Sequence, residues 1–270
     1  MTYDAFENSA AGGQPIELYE FRRNGDAFRF TSAATDQTYA GATWKRAVLT
    51  RNNTEQGGDL NRAGLTIRAP RNFLIADLYR VTPPTEPLQV VLRQLHAGDT
   101  EAAVVWSGRV TNVDFSGSEA TINCEPVLTS LRRIGLRRLY QTQCPHVLYG
   151  PQCGVSKPGF GWPAVVDSVN GAALTSTQAA EKPNGYFDGG YIEWVASANA
   201  TERRLIVSHL GSQINLPAGI TGLPAGAAVT LYPGCDHTLT TCHTKYNNAP
   251  NYGGFPYIPT KNPFGGTPIY

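Results

Sequence analysis

Cys144-Pro-His-Val-Leu-Tyr-Gly-Pro-Gln-Cys153 and Cys235-Asp-His-Thr-Leu-Thr-Thr-Cys242 are two cysteine pairs, with spacers of eight and six residues. Both sit among Pro, Gly and polar residues, outside any apolar strand pattern. Two turns that each offer two sulfurs, brought together by folding, are what a four-thiolate metal site needs. Structural zinc sites use tighter knuckles. Looser spacers fit a cluster, whose ligands surround a larger object. Sulfur ligands alone leave zinc and iron–sulfur both open.

Composition sets the frame around this knot. The chain has 270 residues, 41% hydrophobic and 16% charged, with 28 Gly and 19 Pro. Low charge and abundant turn residues favour many short strands over long helices. The formal charge is +1, so the whole chain carries no electrostatic footprint for nucleic acid. No apolar run reaches the length of a membrane span, and membrane insertion by this chain is not expected. The start, MTYDAFENSAAGGQP, lacks the basic and apolar regions of a signal peptide. Synthesis in a reducing cytoplasm is the expectation, where cysteines are metal ligands or core residues before they are disulfides.

The chain reads as two β-rich pieces. A short helix start is expected at residues 2–4. Alternation then predicts strands at 15–21, 28–30, 36–39, 43–45 and 65–69, with tight turns at Asn24-Gly25 and Ala40-Gly41. Residues 71–79 predict one short helix. Strands are predicted at 88–95, 102–106, 108–115 and 120–125, the last holding Cys124 as a buried core thiol. Leu128, Leu131, Ile134, Leu136 and Leu139 recur at near-helical spacing, although Gly135 weakens a helix. Residues 164–233 carry turn signals about every ten residues, which predicts a small β-barrel inserted between the cysteine pairs. The expected divisions are 1–126 (an antiparallel β domain), 127–163 (a linker with the first Cys pair), 164–233 (the barrel) and 234–270 (the second pair and an extended tail). The fold class is mainly β: the antiparallel N-terminal domain, then a Cys-clipped C-terminal domain carrying the barrel.

Other chemistry is sparse. No HExxH, GxSxG or Walker-type loop occurs, so no catalytic residue is assigned. A Cys–His hydrolase built on Cys144 or Cys242 is a conceivable alternative, acting on the cell wall, but it would leave the pairing of the cysteines without a purpose. His146, His237 and His243 flank the candidate ligands and are expected to support them. Arg132, Arg133, Arg137 and Arg138 read most simply as a solvated face, with a subunit contact or a lining for passing DNA as the sharper reading.

The pattern Leu131-Arg-Arg-x-Gly-Leu-Arg-Arg-x-Tyr140-Gln-x-x-Cys144-x-His-x-Leu-Tyr-Gly-x-x-Cys153-Gly-Val resembles the tail-tip hub family of long, flexible-tailed bacteriophages. That family includes the lambda-type minor tail protein and the hub of gene transfer agents. The block Gly234-Cys235-Asp to Asn-Tyr-Gly-Gly-Phe-Pro-x-Ile-Pro259 is similar to the family's C-terminal signature, and Glu17-Leu-Tyr-Glu-Phe21 and Tyr39-Ala-Gly-x-x-Trp44 match as well. The resemblance implies a non-enzymatic structural protein of the virion baseplate. It implies a homotrimer around the tail channel, between a distal tail protein and a central tip or fibre protein, with DNA passing without specific binding. It further implies that Cys144, Cys153, Cys235 and Cys242 hold an iron–sulfur cluster of the 4Fe-4S type, with zinc as the alternative. The β unit lodged between the pairs departs from the lambda type and resembles the gene-transfer-agent branch.

Overall fold

The computed structural model describes residues 3, 7–9, 13, 15–54, 63–132, 135, 138–220 and 222–259. The helix start expected at residues 2–4 lies, but for Tyr3, outside the described residues. The chain divides into two units: Met1–Arg133 with Val195–Glu202, and Ile134–Trp194 with Arg203–Tyr270.

The first unit is built on a nine-stranded sheet. Its strands are β1 (Pro15–Arg23), β2 (Asp26–Thr31), β3 (Gln37–Tyr39), β4 (Ala42–Arg46), β5 (Thr50–Arg51), β6 (Leu65–Pro70), β7 (Gln89–His96), β8 (Ala102–Ser116) and β9 (Glu119–Pro126). They lie in the order β3-β4-β2-β1-β7-β8-β9-β6-β5. Every neighbouring pair is antiparallel except β2 and β4, which run parallel at Phe30↔Lys45. Alternation decides which residues face inward. On β6, Leu65, Ile67 and Ala69 are buried, and on the paired β9 Ala120, Ile122 and Cys124 join them. At the β3–β4 turn, Ala40 (φ 51) and Gly41 (φ 72) are both left-handed, as a type I′ hairpin turn requires.

β1 is buried on both faces. Tyr19 and Phe21 enter the main core, while Leu18 packs with Trp44 and Leu95 on the other side. Glu20 shares the Leu18 face and is 2% exposed. It is satisfied by Arg22 at 2.9 Å, Arg29 at 3.1 Å and Arg93 at 2.8 Å. Burial alone would raise its carboxyl, but the Arg22 and Arg93 hydrogen bonds and charges outweigh that and hold it below the ordinary 4.5.

Two helical expectations change. The helix read over 71–79 shrinks to α1 (Leu74–Asp77), because Pro70 ends β6 and Phe73 stays extended. The leucine-rich stretch forms a 3-10 helix at Val127–Arg132, where Leu128 and Leu131 are exposed. Of the leucines in that series that are described, Leu128, Leu131 and Leu139 are all exposed; Ile134 and Leu136 lie outside the described residues.

Apart from Val195–Glu202, which the division places in the first unit, the second unit carries two four-stranded sheets. One runs β10 (Trp162–Val165), β17 (Ala228–Tyr232), β13 (Tyr191–Ser197), β14 (Ala200–Leu205). The other runs β11 (Ser168–Asn170), β12 (Ala173–Thr175), β16 (Gln213–Asn215), β15 (Ser208–Leu210). One core joins them, with Leu174 and Ile214 meeting Phe187, Ile192, Val229 and Leu231. The expected barrel is therefore corrected: there is no closed barrel. Closure needs pairing all the way round, and here each sheet ends on its own edge strands. Among the described residues no helix is long and apolar enough to cross a membrane.

Candidate metal centre

The four paired cysteines arrive from loops and one short helix. Cys235 follows β17 across Pro233-Gly234, and Cys242 lies on α2 (Leu239–Thr244). Thr238 starts α2 with its hydroxyl accepting from Thr241 N at 3.2 Å, the cap expected of Thr. Asp236 fastens that cap by accepting from Thr238 N, Thr238 Oγ1 and Thr241 Oγ1, each at 2.9 Å. Cys153 sits in a turn closed by Gly154 N on Gly150 O at 3.0 Å. Cys144 is tied to the opposite loop by its own N–H on His237 O at 2.9 Å.

Folding brings all four to one small enclosure, lined by Cys144, Cys153, Cys235 and Cys242 together with Leu148, Val155 and Tyr246. All five cysteines of the chain are free thiols. Burial first, then the thiols of Cys235, Cys144 and Cys153, pushes the Cys242 thiol up. Burial likewise raises Cys235, opposed by the His237 N–H and reinforced by Asp236, Cys153 and Cys144. Neutral thiols are favoured until a cation arrives, because a coordinated thiol gives up its proton.

N–H donors already face three sulfurs. Gly253 N approaches Cys144 Sγ at 3.3 Å, His237 N approaches Cys235 Sγ at 3.3 Å, and Asn248 Nδ2 approaches Cys153 Sγ at 3.8 Å. Such donors stabilise thiolates and tune a bound metal group. Cys242 instead donates to Asn248 O at 3.3 Å. Among the described residues no three His, Cys, Asp or Glu side chains gather so as to hold one metal ion. The four thiols that line the enclosure are the donor type of a thiolate-ligated group.

His146 and His237 line the enclosure and His243 is exposed on α2 away from it. His146 Nδ1 meets Asn251 O at 3.2 Å, and its ring packs on Gly253. Cys124 is elsewhere, on β9 in the core of the first unit, its thiol pushed up to about 12 by burial. Of the arginines, Arg138 is exposed and donates to Gly253 O at 3.4 Å. Arg133 and Arg137 and the side chain of Arg132 lie outside the described residues.

Several contributors escaped the sequence reading. Tyr246 is buried against the enclosure, and its hydroxyl donates to Gly234 O at 2.8 Å and Pro233 O at 3.1 Å. Lys245 donates to Tyr186 O at 2.7 Å and Gly234 O at 3.0 Å. Both anchor the carbonyls just before Cys235. Asn248 and Asn251 stood inside a quoted motif, but in a Pro/Gly-rich stretch Asn reads as a turn former.

Residues 185–262, which include Cys235, Cys242 and Asn248, match the family model described as "Phage conserved hypothetical protein BR0599". A chain from a structure described as "Virion of native gene transfer agent (GTA) particle" superposes with a TM-score of 0.80 at 22% identity, covering 99% of this chain and 96% of that one. The two chains share one fold. No curated protein sequence matches this chain. The phage-family match falls on the second cysteine block, and the fold match runs through both blocks. They agree with the resemblance that the cysteine motifs carry.

Proposed function

We propose that this chain is a structural component of a phage-type virion, a baseplate hub at the tail tip that surrounds the channel as a homotrimer. In this reading it links the distal tail protein to the central tip or fibre protein and is non-enzymatic. Cys144, Cys153, Cys235 and Cys242 hold an iron–sulfur cluster that fastens the second unit. The observation that carries the proposal is the convergence of four free thiols, three of them facing N–H donors, in a chain that shares its fold with a gene-transfer-agent virion chain. A cluster would supply cross-linking here, with all four protein ligands used and none left open for a substrate. The loose spacers of eight and six residues are the reason a multi-atom cluster is preferred to one zinc.

Anaerobic purification with metal and sulfide analysis tests the cofactor. A coloured protein with iron and acid-labile sulfide in equal amounts is the expected result. A colourless protein holding one zinc per chain would sink the cluster and leave the structural role. Electron microscopy of particles with the chain tagged tests placement: density away from the tail tip would overturn the hub assignment.

A further inference from the structure

Asn248 stands where the two cysteine pairs meet. Its side-chain Nδ2 donates to Cys153 O at 2.6 Å and approaches Cys153 Sγ at 3.8 Å. Its backbone carbonyl accepts from Cys242 Sγ at 3.3 Å, and its backbone N–H donates to Cys242 O at 2.9 Å. One residue thereby holds a cysteine from each pair. The orientation of the amide is settled by its neighbours. Asn248 Oδ1 accepts from Asn251 Nδ2 at 2.7 Å, and the reverse orientation would set two oxygens against each other at the Cys153 carbonyl.

Resting on the reading of the four thiols as a metal site, we propose that Asn248 is the positioning residue of that site. Its Nδ2 bond to the Cys153 carbonyl and its backbone N–H bond to the Cys242 carbonyl set the distance between the two. The same Nδ2 supplies the N–H that a Cys153 thiolate needs. The Cys242 S–H bond to the Asn248 carbonyl is given up when that thiol loses its proton. Gly253 and His237 serve Cys144 and Cys235 from the backbone. Asn248 does so from a side chain, so its donor can be removed with the backbone left in place. The plain alternative is that Asn248 merely ends α2 through its bond to Cys242 O. That bond is main-chain and survives any side-chain change, which separates the two roles.

Asn248→Asp keeps the size and the oxygen that Asn251 uses, loses the N–H, and adds negative charge beside Cys153. Asn248→Ala removes the side chain altogether. Full-length wild type and both variants are loaded anaerobically with ferrous iron and sulfide, and in parallel with zinc alone. Metal retention against a chelator and the reduction potential of the iron-loaded protein are then read. Loss of an outer partner of a metal ligand costs about 10–100-fold in affinity, so both variants are expected to release metal in that range. Asn248→Asp is also expected to shift the potential to more negative values, because hydrogen bonds to sulfur and local charge set it. A residue that only ends the helix would leave the potential unmoved. Equal retention and equal potential in wild type and variants overturn the proposal alone. A wild type that takes up neither iron–sulfur nor zinc overturns the metal reading, and the role of Asn248 falls with it. Circular dichroism of the metal-free proteins checks folding; if Asn248→Asp fails it, the Asn248→Ala arm decides.

Discussion

Gly234→Ala should damage the second unit, whereas Gly159→Ala should strengthen it. A Cβ on Gly234 would lie 2.2 Å from Asp188 O, 2.2 Å from Gly189 C and 2.3 Å from Gly190 N. All three are backbone atoms, so no side chain can swing clear. The crowding is mutual: a Cβ on Gly190 would lie 2.0 Å from Tyr232 O. Two chain segments touch here with room for hydrogen atoms only. Parting them strains Tyr191↔Tyr232 in the β13–β17 ladder and the bonds from Tyr246 and Lys245 to Gly234 O. Overpacking costs about 1–3 kcal/mol, and losing two hydrogen bonds costs about 1 kcal/mol each. Together that is about 3–5 kcal/mol. At about 4 °C per kcal/mol for a unit of this size, melting should fall by about 12–20 °C. Gly159 has no atom within 4 Å of an added Cβ and is not left-handed. There the methyl only restricts the unfolded chain, a gain of about 0.4–1 kcal/mol and a rise of a few degrees. Calorimetry on the reduced, metal-free full chain measures both. If Gly234→Ala melts within 3 °C of wild type, or Gly159→Ala falls as far as Gly234→Ala, the close-approach reasoning is wrong.

Cys124→Ser should cost about 1–3 kcal/mol, because a hydroxyl replaces a thiol inside an apolar cluster; metal content should be unchanged, and a loss of metal would return Cys124 to the ligand set. Glu20 should give the first unit a step in acid stability. Its folded value lies below 4.5, so its contribution is present above that pH and is lost as pH falls through the folded value. Glu20→Gln should cost about 2–3 kcal/mol at neutral pH, discounted because its arginines are partly exposed, and should flatten the acid limb in urea titrations; an unchanged limb would refute the assignment. Removing the metal group should loosen residues 144–160 and 233–248 while leaving β10, β13 and β17 protected in hydrogen exchange. Uniform loss of protection across the second unit would count against this.

What the residue order revealed, and what it hid, follows from the range of the forces involved. Leu65-Thr-Ile-Arg-Ala69 and Ala120-Thr-Ile-Asn-Cys124 are legible as strands because alternation is local, and the same pattern gives Cys124 its inward face. The Ala40-Gly41 turn is legible because few residues tolerate left-handed backbone. The β2–β4 parallel pairing left no local mark. Turn signals at 164–233 mark hairpins but do not say which strands end a sheet, and β11, β12, β15 and β16 are three residues each. Two sheets over one core and a closed barrel share that signature. The leucines at 128 and 131 show the reverse error, where spacing imitates a core stripe on an exposed 3-10 turn. The four cysteines were legible as a set because thiols outside a core are chemically unusual. Asn248 was not, because its importance lies in two partners that only folding brings to it.

The sheet pairing also changes what a four-thiolate clip can contribute. Between Cys153 and Cys235 lie 81 residues, and a cross-link closing so long a loop would restrict the unfolded chain substantially. But β10 and β17 pair antiparallel from Trp162↔Leu231 to Val165↔Ala228. Chain entry and chain exit therefore already lie side by side, and the insert is closed by its own hydrogen bonds and core. What remains for the clip is the short run from Cys153 to Trp162 and from Leu231 to Cys235, about 13 residues in all. On the logarithmic scale of loop closure, going from 81 residues to about 13 lowers the gain by about 1.5 kcal/mol. The clip's work is then local. A bound metal group would hold the segments carrying Cys144, Cys153 and α2 in one arrangement, segments whose own apolar cluster is Cys153, Val155 and Tyr246 with Leu148, Tyr149 and Phe160 packed against it. A metal group here would therefore order its immediate loops, beside a sheet pair already closed by its own hydrogen bonds and core.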